Sequence, residues 1–106
     1  MSEKKLPNRF LALSQKHQDI ASAVEELGKA VKQAGPIDAK NAQLIQLAAA
    51  ASIRSEGAVH SHTRRAMEAG ANKDEIHHAI LLLTSTIGFP TVIAALSWVD
   101  DILGQD

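Results

Sequence analysis

The chain has 106 residues, a formal charge of -1, 45% apolar side chains and no cysteine. Such a length supports one domain with a single core; the balanced charge offers no basic excess for nucleic acid, and no apolar run approaches the ~20 residues a membrane span requires. Without cysteine there is no disulfide and no thiol chemistry, and the opening Met1-Ser2-Glu3-Lys4-Lys5-Leu6-Pro7 leads into no signal-peptide core, so the expected location is the cytoplasm.

The first predicted element is a long helix from about Asn8 to Ala34. Its apolar stripe, Phe10, Leu13, His17, Ile20, Val24, Leu27 and Val31, alternates steps of three and four as in a packed helix seam. His17 lies in that stripe and reads as a seam histidine. Gly35-Pro36 ends the helix. Asp38 is a suitable N-cap for a second helix, about Ala39 to Ser55. Leu44, Ile45, Leu47, Ala48, Ala51 and Ile53 make it apolar over most of its circumference, which predicts a buried central helix.

A third helix runs from about Glu56 to Ala69, with Val59, His62, Ala66 and Ala69 on one face and Gly70 as its stop. Asn72-Lys73-Asp74-Glu75 reads as a capping box. It starts a fourth helix carrying Ile76, Ala79, Ile80, Leu83 and Ile87, broken at Gly88-Phe89-Pro90. The fifth helix spans about Pro90 to Leu103 and buries Val92, Ile93, Ala95, Leu96, Val99 and Ile102.

No segment sustains period-two alternation, so no strands are expected. The predicted fold is all-α: a long N-terminal helix followed by a compact four-helix core, one domain over residues 1-106 with tails at 1-7 and 104-106. Alanine dominates, and Phe10, Phe89 and Trp98 are the only aromatic residues. Alanine buries little surface per residue, so subunit association is the natural remedy for a thin core.

Chemistry concentrates in the third helix. Glu56 and His60 stand four apart and share one helical surface. The pair reads either as an acid-base couple or as an exposed helix pair. His62 lies about 200° around the helix from His60. On an apolar face it is either a hydrogen-bonded core histidine or a proton-transfer group. Gln43 and Ser52 on the second helix are placed to send a hydrogen bond into a pocket between the second and third helices. Arg64 and Arg65 read as carboxylate anchors or as solvated charges. No metal site is expected, because His60 and His62, like His77 and His78, diverge at their spacings. No phosphate-binding glycine loop and no Gly-x-Ser-x-Gly elbow is present.

Several segments, in order, resemble the carboxymuconolactone decarboxylase family, which includes the alkylhydroperoxidase D proteins. These are Ile37-Asp38-Ala39-Lys40, Leu44-Ile45-Gln46-Leu47-Ala48, His62-Thr63-Arg64-Arg65-Ala66-Met67-Glu68-Ala69-Gly70-Ala71, Asp74-Glu75-Ile76 and the Gly88-Phe89-Pro90 break. The resemblance covers about Gly35 to Leu103. It implies an alkylhydroperoxidase D-like fold and assembly into trimers, hexamers or related rings. In the peroxidase branch a glutamate precedes Cys-x-x-Cys-x-x-x-His; anchored on His62, the cysteine positions fall on Ser55 and Ala58 and the glutamate on Gln43. Disulfide-based peroxide reduction is therefore excluded, since a thiolate is its nucleophile. The decarboxylase branch lacks the cysteine pair and keeps the histidine. Likeness to it implies His62 as the acid-base group, Glu56 or His60 assisting, and Gln43, Ser55, Arg64 and Arg65 as substrate-binding candidates. The expected activity is cofactor-free chemistry of the lyase type on a small carboxylate or lactone. The alternative is a non-catalytic ligand-binding or scaffold relative.

Overall fold

A computed structural model describes residues 8–104 of the chain. The expected tails at 1–7 and 105–106 lie outside the described residues. Gly104 does not belong to a tail: its N–H closes the last helix on the Asp100 carbonyl at 2.8 Å. The described residues form seven helices and no strand: α1 (Asn8–Lys16), α2 (Gln18–Gln33), α3 (Ala39–Ser52), α4 (Glu56–Glu68), α5 (Lys73–Leu81), the single turn α6 (Thr84–Ile87) and α7 (Phe89–Leu103). The chain divides into two compact units, residues 1–36 and 37–106.

In the first unit the expected long helix is two. His17 leaves helical geometry (φ -137°, ψ 70°). The break is confined to that residue, because its N–H still reaches Leu13 O at 2.7 Å and its carbonyl still accepts from Ala21 at 3.1 Å. The stretch Ser14 to Asp19 is polar throughout and has no apolar side chain to hold a continuous helix. Two of its side chains instead bond locally, Ser14 Oγ to Leu11 O and Asp19 Oδ1 to the Ile20 N–H, the competition that weakens helix interiors. His17 is exposed in the single chain, at the break in the stripe. Phe10 and Leu13 are half-buried, whereas the part of the stripe on α2 is unpacked in the single chain: Ile20, Val24, Leu27 and Val31 are 48–64% exposed.

The second unit packs α3, α4, α5 and α7 around Leu47, Val59, Ile76, Ile80, Val92 and Val99, all wholly buried. Helices α3 and α4 make the most extensive contact, followed by α4 and α7. Ala50, Ala51, Ala66 and Ala95 are also buried, and their small side chains let the backbones close on one another.

The ends of these elements follow identifiable chemistry. Asp38 accepts from the Asn41 N–H at 2.9 Å and caps α3. The capping box forms as expected, with Asn72 Oδ1 accepting from Glu75 N–H at 2.8 Å and Glu75 Oε1 accepting from Asn72 N–H at 3.0 Å. α3 stops at Ser52, three residues before the expected end, in a Schellman turn: Arg54 N–H bonds Ala51 O and Ser55 N–H bonds Ala50 O, both at 3.0 Å. The left-handed position is taken by Arg54 (φ 56°), where glycine is usual. Its guanidinium donates to Thr91 Oγ1 at 3.0 Å and lies 6.0 Å from the Trp98 ring centre, so α7 holds the turn in place. α4 ends in the same way, with Gly70 (φ 102°) in the left-handed position and Ala71 N–H on Ala66 O at 2.9 Å.

Two further expectations need correction. The fourth helix does not run unbroken to Ile87; it ends at Leu81, where Thr84 Oγ donates to the Leu81 carbonyl at 2.7 Å, and the hydroxyl run Thr84-Ser85-Thr86 favours local bonding over helix continuation. Ile45 of α3 and Ile53 at its C-cap are not buried but 55% and 76% exposed, and on α7 Ile93 is 48% exposed.

Lys40 Nζ and Glu75 Oε2 tie α3 to α5 at 2.8 Å. The Lys40 hydrogen bond and then the Asn72 N–H hold the Glu75 carboxyl below its ordinary 4.5, and Glu75 in turn raises Lys40 above 10.5. Glu75 binds its proton more weakly when folded, so its contribution is complete above about pH 4.5 and is lost as pH falls through the lower folded value. The Lys40 contribution is complete below 10.5 and lost as pH rises through its higher folded value. Glu75→Gln is expected to melt below the wild type at pH 7, with the gap in Tm closing as pH falls well below 4.5 in a thermal series monitored by circular dichroism. A gap that stays constant down to pH 2 would show that the charge contributes nothing.

Candidate functional site

The sequence candidates separate into two groups on opposite sides of α4. His62 turns to α3: its Nδ1 and Gln43 Oε1 are 2.8 Å apart. Gln43 is only 4% exposed, and a buried amide oxygen without a donor would cost about 1–3 kcal/mol. With Oε1 as acceptor, Nδ1–H is the donor, and the tautomer is set so that the basic lone pair is on Nε2. A histidine held in one tautomer by a buried partner is positioned for proton transfer at its other nitrogen.

The same stretch of α3 carries a group that sequence reasoning passed over. Gln46, one turn beyond Gln43, has a buried Oε1 with no hydrogen-bond partner. Residues three apart are neighbours on a helix surface, so Gln43 and Gln46 present two amides along one side of α3. A buried acceptor left open is costly and suits a ligand hydroxyl or acid proton. The only sequence signal was two glutamines at helical spacing within an apolar helix.

Beside His62 on α4, the buried Thr63 is satisfied within its own helix, its hydroxyl donating to Val59 O at 2.7 Å. Arg65 follows His62 by three residues and so shares its neighbourhood on the helix surface, whereas Arg64 follows His60 by four. Both arginines are half-buried, and among the described residues neither is paired with a carboxylate. Ser55 precedes α4 at its N-cap position, half-buried, and its hydroxyl makes no capping bond. Ser52, on α3, donates to Ala48 O at 2.8 Å and points its bond into its own helix.

The second group faces α7. His60 Nε2 lies 2.9 Å from Asp101 Oδ2 and 4.0 Å from Glu56 Oε2. The expected Glu56–His60 pair is thus present as a long contact, while the short bond goes to an acid that the sequence reading did not single out. A parallel contact joins His77 Nε2 of α5 to Asp100 Oδ1 at 2.8 Å. Both aspartates lie in the last turn of α7, which contains no basic residue. Carboxylates at that end oppose the helix dipole, and this misplacement was the available sequence signal that Asp100 and Asp101 require cationic partners. His62 is not brought together with Glu56 and His60; they engage different helices.

In comparison with known proteins, residues 18–101 match the sequence profile of the Carboxymuconolactone decarboxylase family. The match begins in α2, upstream of the Gly35 at which the segment-by-segment resemblance starts. An uncharacterized protein of Methanocaldococcus jannaschii, MJ1511, is 32% identical over 83 residues, 78% of this chain and 78% of that protein.

Replacing Gln43 with leucine adds an apolar side chain to the core yet removes the acceptor for His62. Gln43→Leu is expected to lower unfolding free energy by about 1–3 kcal/mol in urea titration. It should also convert the His62 ring from one tautomer to a mixture in ¹⁵N NMR. An unchanged tautomer in the variant would mean that Gln43 does not set it.

Proposed function

This chain belongs to the carboxymuconolactone decarboxylase family, and on that premise we propose that it is a cofactor-free acid-base catalyst of the lyase type, acting on a small carboxylate or lactone. The observation that carries the reading is the hydrogen bond between the buried Gln43 and the half-buried His62. His62 is the acid-base group and Gln43 its positioning residue. Gln46 and Ser55 supply hydrogen bonds to the substrate, and Arg65 anchors a carboxylate, while Arg64 lies on the His60 side of α4 and takes no part. Loss of carbon dioxide from an acid whose carboxyl is borne on the carbon α to a carbonyl, or on its vinylogue, breaks one C–C bond and leaves its electron pair delocalised as an enolate. Protonated Nε2 of His62 delivers the proton to carbon, and a guanidinium offsets the oxyanion. None of these steps needs a thiol, and the chain has none to offer for peroxide reduction through a dithiol.

The exposed stripe of α2 supports a further part of the proposal. Four large aliphatic side chains at helical spacing, each about half exposed or more, form a surface that a single chain leaves in water. A homo-oligomer, trimeric or hexameric, covers such a stripe with its equivalent from another copy. No described helix is long and apolar enough to cross a membrane, and a cytoplasmic location is in keeping with a balanced charge. A non-catalytic scaffold is the second reading, favoured by the same stripe and by the replacement of the relay glutamate with Gln43.

The test is a thermal-shift panel of small dicarboxylates and γ-lactone acids on the wild type and on His62→Asn, with folding checked by circular dichroism. A ligand that binds the native state raises Tm. The expected result is a stabilising compound that the wild type turns over, with turnover falling by about 10²-fold or more in His62→Asn. Binding that survives in the variant, with turnover in neither protein, would favour the scaffold reading.

A further inference from the structure

We propose that Glu56, His60 and Asp101 form a binding site for a divalent first-row transition ion, with Zn²⁺ as the reference case. The site is separate from His62 and does not depend on the catalytic reading.

The donor atoms converge from two helices. One oxygen from each carboxylate and one imidazole nitrogen all lie within 4.8 Å of one another. Ligands about 2.1 Å from a common ion stand roughly 3 Å apart at right angles and roughly 3.4 Å apart in a tetrahedron. His60 Nε2 and Asp101 Oδ2, at 2.9 Å, already have that spacing. Glu56 Oε2, at 4.0 Å from the same nitrogen, must move in to complete the set. Its side chain is 57% exposed and has room to do so.

Charge points the same way. A proton on Nε2 can be donated to one acceptor, and Asp101 has it; Glu56 is left beside it at a non-bonding distance. A divalent ion at this point satisfies both carboxylates and the imidazole lone pair together. Asp101 also sits in the last turn of α7, where the helix dipole is negative and no basic residue compensates it. Arg64, the next cation along this side of α4, lies one turn beyond His60 on the side away from Glu56 and is paired with neither carboxylate. One nitrogen and two oxygens form a borderline donor set suited to zinc and its neighbours. Three protein ligands leave a position for water, and exposure of 52–57% at the two carboxylates gives an entry path. The ion would join α4 to α7.

Isothermal titration of the metal-free protein with ZnCl₂, backed by competition with a chromophoric chelator and by Tm, tests the site. The expected result is one Zn²⁺ per chain with a rise in Tm. Glu56→Gln and Asp101→Asn should each weaken binding by about tenfold or more, and His60→Gln should abolish it. Asp100→Asn, which alters the neighbouring His77 pair, should change affinity by less than about twofold. Glu56→Gln neutralises an exposed group that makes no short bond, so it keeps the fold even if another variant does not. No saturable uptake at micromolar Zn²⁺, or affinity unaltered by Glu56→Gln and Asp101→Asn in folded protein, overturns the proposal.

Discussion

The close approach of α3 and α4 is the constraint on which the second unit depends. Buried alanines at positions 50, 51 and 66 remove the bulk that would separate the two backbones. The connection is only three residues long, a Schellman turn that reverses the chain at once and sets α4 beside α3. Arg54 occupies the strained left-handed position of that turn and is held from α7 by Thr91 and Trp98. At this separation the Gln43 side chain reaches the His62 ring across the interface. The proton-transfer candidate is therefore a product of helix packing.

α4 works on both its sides. The face toward α3 carries His62, half-buried against the buried Gln43; the face toward α7 carries His60, half-buried, and the exposed Glu56. Two imidazoles two residues apart on a helix must diverge, and the fold assigns each to a different partner and dielectric. The amide beside His62 is neutral and buried, so it controls orientation and tautomer without adding charge. The carboxylates beside His60 are ionic and exposed, so their interaction is screened by solvent and open to exchange with ions.

The N-terminal unit shows what an alanine-rich core of this size leaves undone. α2 has clear apolar periodicity, yet its aliphatic residues are exposed in the isolated chain. Ile45, Ile53 and Ile93 of the second unit are likewise unburied. Amphipathic patterning records that a face is to be covered; it does not record what covers it. Membership of a family profile that begins in α2 makes this helix part of the shared domain pattern and not an appendage.

The sequence by itself determined the elements whose signals are local: the all-helical class, the caps at Asp38 and Asn72–Glu75, the glycine stop at Gly70, the start of α7 and the absence of thiol chemistry. It offered Gln43 and Ser52 alike for the contact between α3 and α4; Gln43 meets His62 there, whereas Ser52 bonds within its own helix. Tertiary structure decided the rest. The partners of His60 and His77 lie 41 and 23 residues away on α7, and no periodicity within α4 or α5 encodes the rotation that brings Asp101 and Asp100 to them. The break at His17 and the left-handed Arg54 were equally hidden, since each depends on whether neighbouring contacts offset a backbone conformation that local propensity disfavours. Spacing fixes the direction in which a side chain leaves its helix; the packing of distant segments fixes what it meets.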